Sequence, residues 1–143
     1  MELLTLTQAS GIVDAALDKA REINCKPMTV AVLDAGGHLL SFKREDGSSI
    51  MRPQIAHAKA WGALGMGIGG RALAARAESH PAFFAALTDI SGGRIAPVPG
   101  GILIRDADQN VLGAVGLSGD LPDQDEACGI HGVQKVGLVA DGG

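Results

Sequence analysis

Two stretches of this chain share one pattern, and that pattern confines it to a sheet-centred fold. Residues 30–42 read VAVLDAGGHLLSF and residues 102–115 read ILIRDADQNVLGAV. Each is an apolar run, an aspartate (Asp34, Asp106), four further residues and then two apolar residues. β-Branched and aliphatic residues suit paired strands. Asp-Ala-Gly-Gly and Asp-Ala-Asp-Gln-Asn supply the side-chain acceptors and the tolerance of positive φ that a tight reversal needs. Both stretches are therefore expected to be β-hairpins, with the aspartates as turn-formers, giving four antiparallel strands in a small α/β domain.

At 143 residues, 46% of them hydrophobic, the chain can bury one sizeable core and lacks the length for a second domain. A net charge of −4, with one Trp, three Phe and no Tyr, offers neither a basic phosphate-binding face nor an aromatic stacking platform. Nucleic acid is excluded as a partner on that ground. No stretch of 18 uninterrupted apolar residues points to a membrane span, and the start, MELLTLTQAS, has no basic n-region. The chain reads as soluble and cytoplasmic. Cys25 and Cys128 stand 103 residues apart with no CxxC or metal-type spacing, so neither a disulfide framework nor a metal site is expected.

From Thr7 to Ile23, apolar residues at Ala9, Ile12, Val13, Ala16, Leu17, Ala20 and Ile23 form one helical stripe, with Thr7 as the expected N-cap. Pro27 opens the first hairpin, whose second strand runs from about Leu39 to Lys43. A helix of small residues follows from Gln54 to about Leu64, then a glycine cluster, a helix from Arg71 to Ala77, and a short one from Ala82 to Thr88 capped by Ser79. The glycine- and proline-rich link 91–101 leads to the second hairpin. A last helix, about Pro122 to Val136, begins with Asp123, Asp125 and Glu126, charges that suit a helix N-terminus.

Gly65-Met-Gly67-Ile-Gly-Gly70 matches a dinucleotide-binding GxGxxG, with Asp89 near the position of a ribose-binding acid. That fingerprint must follow a strand, so that the turn offers backbone N–H groups to pyrophosphate, whereas a helix-like segment precedes it here. The glycines are expected to permit a tight break between helices and close packing instead.

The runs VAVLDAGGHLLSFKREDG, IAHAKA, GGRIAPVPGGILIRD and VLGAVGLSGDLPDQDEACGIHG resemble, in order and over nearly the whole chain, the haem-degrading domain family that includes GlcG, the haem-binding protein HbpS and the C-terminal domain of PduO. The resemblance implies a profilin-like α+β fold, a five-stranded antiparallel sheet with helices on both faces, usually in homo-oligomers. The two hairpins supply four of those strands. The fifth is expected near Ile95 to Val98 or at one end of the chain. The resemblance also implies haem or a related tetrapyrrole as a small-molecule ligand. Haem-binding relatives offer a histidine from the first helix, which has none here, leaving His38, His57, His80, His131 and the Cys128 thiolate as axial candidates.

A second reading makes the chain an enzyme, an isomerase, tautomerase or hydrolase, for a small carboxylate metabolite such as a ring-cleavage product. On a helix, Lys59 shares a stripe with Ile55, Gly62 and Met66. An amine there either snorkels to solvent, pairs with an acid, or sits desolvated with a lowered pKa suited to proton transfer or attack on a carbonyl. Several carboxylates in four residues exceed what capping needs, so Asp125 or Glu126 is a candidate general base or else holds an Arg or Lys from elsewhere in place. Arg44, Arg52 and Arg94 can each grip a carboxylate in bidentate fashion, with Asp46 as a partner, and His38 and His57 complete the candidate binding residues. His57 lies two positions before Lys59 and so on another helix face. Cys128 and His131, three apart, are potential neighbours on the last helix. A third reading is an assembly module with no chemistry of its own.

Overall fold

The structure, a computed structural model, describes residues 2–143. Five helices and five strands follow one another as α1 (Leu6–Glu22), β1 (Thr29–Asp34), β2 (Leu39–Arg44), α2 (Arg52–Met66), α3 (Gly70–Ser79), α4 (Pro81–Ile90), β3 (Gly101–Arg105), β4 (Val111–Ser118), α5 (Pro122–Lys135) and β5 (Val139–Asp141). The strands form one antiparallel sheet in the order β2-β1-β4-β3-β5. Helices cover both faces, α1 and α5 on one and α2 on the other. This is the profilin-like α+β architecture. The fifth strand comes from the C-terminal end, Val139–Asp141 pairing with Leu103–Arg105, and residues 95–98 form no strand.

Both turns work as the sequence predicts. Asp34 Oδ1 accepts the backbone N–H groups of Gly36 and His38, each at 2.9 Å. Asp106 Oδ1 accepts those of Asp108 and Asn110, also at 2.9 Å. The Asn110 side-chain amide first, and these backbone donors after it, hold the Asp106 carboxyl below the ordinary aspartate pKa; at Asp34 burial pushes the other way, and the backbone donors with the His38 ring outweigh it.

Two boundaries correct the sequence reading. The cap of α1 is Thr5, not Thr7: its hydroxyl accepts the Gln8 N–H at 3.0 Å while the Gln8 side chain accepts the Thr5 N–H at 3.0 Å. Ser79 does not cap α4. It is the last residue of α3, with its hydroxyl turned back on the Ala75 carbonyl at 3.2 Å, and His80 takes the cap position before Pro81. The glycine cluster ends α2 at Gly67 (φ 72°) and opens α3 at Gly70; a helix, not a strand, precedes it.

The two faces differ in side-chain size. On the α1/α5 face, Ile12, Val13, Met28, Val30, Val32, Ile102, Ile104 and Leu117 are fully buried, each contributing about 1.5–3 kcal/mol of transfer free energy. On the α2 face the residues are small, chiefly Ala60, Ala63 and Ala114 with Leu33 and Leu103. Close approach replaces bulk there: Gly116, paired with Gly101 across β4 and β3, lies against the Ala56 carbonyl of α2. Seated on the central strands, α2 leaves the same face of the edge strand β2 uncovered, with Leu39 and Phe42 exposed. That opening is the candidate site.

Candidate functional site

The uncovered face of β2, the first two turns of α2 and the link after α4 enclose a hollow of about 560 Å³, inside the range of roughly 300–1,000 Å³ usual for small-molecule clefts. Ala31, Leu39, Phe42, Pro53 and Ala58 make its walls apolar. Its polar groups are Gln54 and His57 on α2 and Arg94 after Gly92 and Gly93. Strand register explains Phe42: it pairs with Ala31, whose face of the sheet is the α2 face.

Arg94 is held in place although exposed. Its Nε donates to the Ser91 carbonyl at 2.7 Å, its backbone N–H to Ser91 Oγ at 3.2 Å, and its guanidinium carbon lies 4.1 Å from the centre of the Trp61 ring. Two positive-φ glycines, Gly92 (65°) and Gly93 (81°), turn the chain so that Arg94 meets α2. Trp61 is one helical turn beyond His57. Burial first, and the Arg94 charge second, hold the His57 pKa below its ordinary value, so the imidazole is neutral at pH 7. A neutral imidazole and a guanidinium lining one apolar cleft can ligate a metal centre and grip an anionic substituent.

His57 and Arg94 are thus the two sequence candidates that line this cleft. The others lie elsewhere. Lys59 and Asp125 face each other as a buried ion pair, Nζ to Oδ2 3.0 Å, with side chains 3% and 1% exposed. Asp125 Oδ1 also accepts the Asp120 N–H at 2.9 Å. Despite their mutual attraction, burial pushes the Lys59 pKa down and the Asp125 pKa up. The pair joins α2 to α5, helices on opposite sheet faces. Arg52 is beside it, donating to Ser118 Oγ at 3.0 Å. Glu126 is taken by Arg71, Nε to Oε2 3.1 Å, and the same guanidinium reaches Asp123. Arg44 and Asp46 line a separate polar hollow with Arg21 and Glu45. His38 is exposed in its turn, bonded to Asp34 at 3.1 Å. Cys128 is next to Cys25 rather than forming a pair with His131, their sulfurs 4.0 Å apart.

Leu39, Phe42, Gln54 and Trp61 are pocket or pocket-supporting residues that the sequence reading did not single out. The signal for Trp61 was present in its i+4 spacing from His57, and that for Phe42 in the hairpin register.

Residues 4–134 match the family described as haem degrading protein HbpS-like. The chain belongs to that family. No curated protein matches it in sequence. Among solved structures it is similar to Klebsiella pneumoniae protein ORFY, at 27% identity and TM-score 0.85, over 95% of this chain and 92% of that one. It is similar to HbpS at 27% identity and TM-score 0.82, over 96% and 92%. PduOC, solved as a haem complex, shares the fold at 21% identity, TM-score 0.85, over 96% and 97%.

Proposed function

We propose that the chain binds haem or a related tetrapyrrole in the cleft between β2, α2 and the 91–94 link. The observation that carries this reading is the placement of a neutral His57 and an anchored Arg94 in one apolar-walled hollow of about 560 Å³. The residues present fit the group: His57 would ligate the iron, Arg94 would pair with a propionate, and Leu39, Phe42 and Ala58 would exclude water from the ring. Bound haem would supply a redox-active iron. The protein's part is to hold His57 deprotonated, to orient the ligand through Arg94 and to keep the cleft dry.

The test is a titration of the apo protein with ferric haem, followed at the Soret band. Stoichiometric saturation with a shifted band is expected; a linear rise without saturation contradicts the reading. Ligation needs the neutral imidazole, so the affinity should be flat through neutral pH and fall only as pH drops through the depressed His57 pKa. Replacing Arg94 by alanine removes the propionate partner and the Trp61 contact, and should weaken binding about tenfold, or ~1.4 kcal/mol.

We also propose that the chain works as a homo-oligomer, with a second copy over the pocket side of β2. Support comes from the unpaired edge of β2 and from the exposed Leu39 (55%), Ile50 (83%) and Met51 (64%) near it. Light scattering should give a multiple of the chain mass, and Ile50→Asp should lower it; a monomeric wild type contradicts the proposal.

A further inference from the structure

The chain has two cysteines among 143 residues, and the fold brings those two into contact. Both are free and buried, Cys25 at 6% exposure and Cys128 at 0%, in the core between the sheet and the α1/α5 layer. Cys25 stands in the turn that leaves α1, where Asn24 at φ 57° reverses the chain and the Cys25 N–H returns to the Ala20 carbonyl at 2.9 Å. Arg21 holds the Cys25 carbonyl at 2.6 Å, and Asp120 accepts the Lys26 N–H at 2.8 Å. Cys128 is in the middle of α5. Isolated buried cysteines act as small inert hydrophobes. Two sulfurs at 4.0 Å with no polar group between them are different, because closing to the ~2.05 Å of a disulfide takes a shift of about 2 Å shared between a side-chain rotation and a turn.

We propose that Cys25 and Cys128 form a reversible intramolecular disulfide that ties the α1–β1 turn to α5 when the protein meets a peroxide. Cys25, the more accessible sulfur, reacts first. Its thiolate attacks a peroxide oxygen, the O–O bond breaks, and hydroxide leaves behind a sulfenic acid. The Cys128 sulfur then attacks the Cys25 sulfur. The S–O bond breaks, and the departing hydroxide takes the Cys128 proton as water. Two thiols and one hydrogen peroxide thus give one disulfide and two waters; sulfur is oxidised and peroxide oxygen reduced. Burial raises both thiols, Cys128 to about 12, so the reaction is slow at neutral pH and the pair responds to sustained rather than transient oxidant. The site is independent of the haem cleft, since neither cysteine lines it.

The test treats the reduced full chain with hydrogen peroxide, denatures it in an alkylating agent and measures intact mass. Oxidation of a methionine-containing peptide added to the same mixture serves as an internal clock. On the time scale of that oxidation, the expected product is a monomeric chain that has lost two hydrogens at sulfur, takes no alkyl groups, unfolds at a higher temperature than the reduced protein, and reverts with dithiothreitol. Two alkylatable thiols after the added methionine is fully oxidised would overturn the proposal, as would independent oxygen addition at each cysteine sulfur or intermolecular dimers. In Cys25→Ser, Cys128 should stay reduced over the same period; oxidation of Cys128 at the wild-type rate overturns the order of attack.

Discussion

Replacing Lys59 by methionine is expected to lower folding stability by about 3–5 kcal/mol, the usual cost of removing one member of a buried ion pair. The wild-type pair is 3% and 1% exposed, so the methionine variant leaves a carboxylate in a site where water cannot compensate. Asp125 escapes by taking up a proton. Burial already raises its pKa, and loss of the lysine raises it further. A carboxyl with a folded-state pKa above its unfolded value contributes full stability below about pH 4 and loses it as pH rises through the folded value. The destabilisation should therefore be largest at neutral pH and shrink on acidification. Lys59→Met with Asp125→Leu removes both charges and should recover most of the loss, because an apolar pair of similar volume avoids the desolvation cost. Chemical denaturation of the two single variants and the double one gives the coupling directly. Additive losses would show that the two side chains do not depend on each other.

Gly116→Ala is the second severe change. A Cβ there meets the carbonyl oxygen of Ala56, with the Ala60 nitrogen at 2.8 Å and the Ala56 carbonyl carbon at 2.9 Å. All three are helix backbone, so no side-chain rotation relieves the clash and α2 must lift from β4. A loss of about 3 kcal/mol, or roughly 10 °C in Tm for a chain of this size, is expected. Because Pro53, Gln54, His57 and Ala58 ride on the same helix, the cleft should widen and haem affinity fall even at temperatures where the variant is folded. Calorimetry and the Soret titration on one preparation check both; a fall in Tm of less than about 2 °C contradicts the close packing of α2 on β4.

What was readable in the chain was mostly what is local. The two hairpins follow from apolar runs around Asp34 and Asp106, and each aspartate closes its own turn within four residues. The α1 stripe is equally local, and the Thr5-x-x-Gln8 spacing carried the correct cap. Three residues are too few to carry a period, so β5 has no signature of its own; Val139–Asp141 becomes a strand only by pairing with β3. The site residues show the same division. Lys59 and Asp125 each stand out locally, an amine on a mostly apolar stripe and a carboxyl in an acidic first turn, but their meeting depends on how α2 and α5, 66 residues apart in sequence at this pair, dock against the sheet. His57 and Arg94 were named separately, and two glycines and a cation–π contact bring them to one cleft. The Cys25–Cys128 contact spans 103 residues and has no spacing signature at all.

Haem binding in this cleft depends on His57 under the proposed function, and the ferric haem affinity of His57→Ala against wild type tests that dependence most directly. His57 lines an open pocket and is only half-buried, so the variant should fold with its Tm near wild type while the reacting nitrogen is lost. Haem affinity should fall at least tenfold, with the low-spin Soret signature of histidine ligation replaced by that of free or loosely held haem. A His57→Ala protein that is folded, binds haem as tightly as wild type and keeps the same Soret band would contradict the assignment of this cleft.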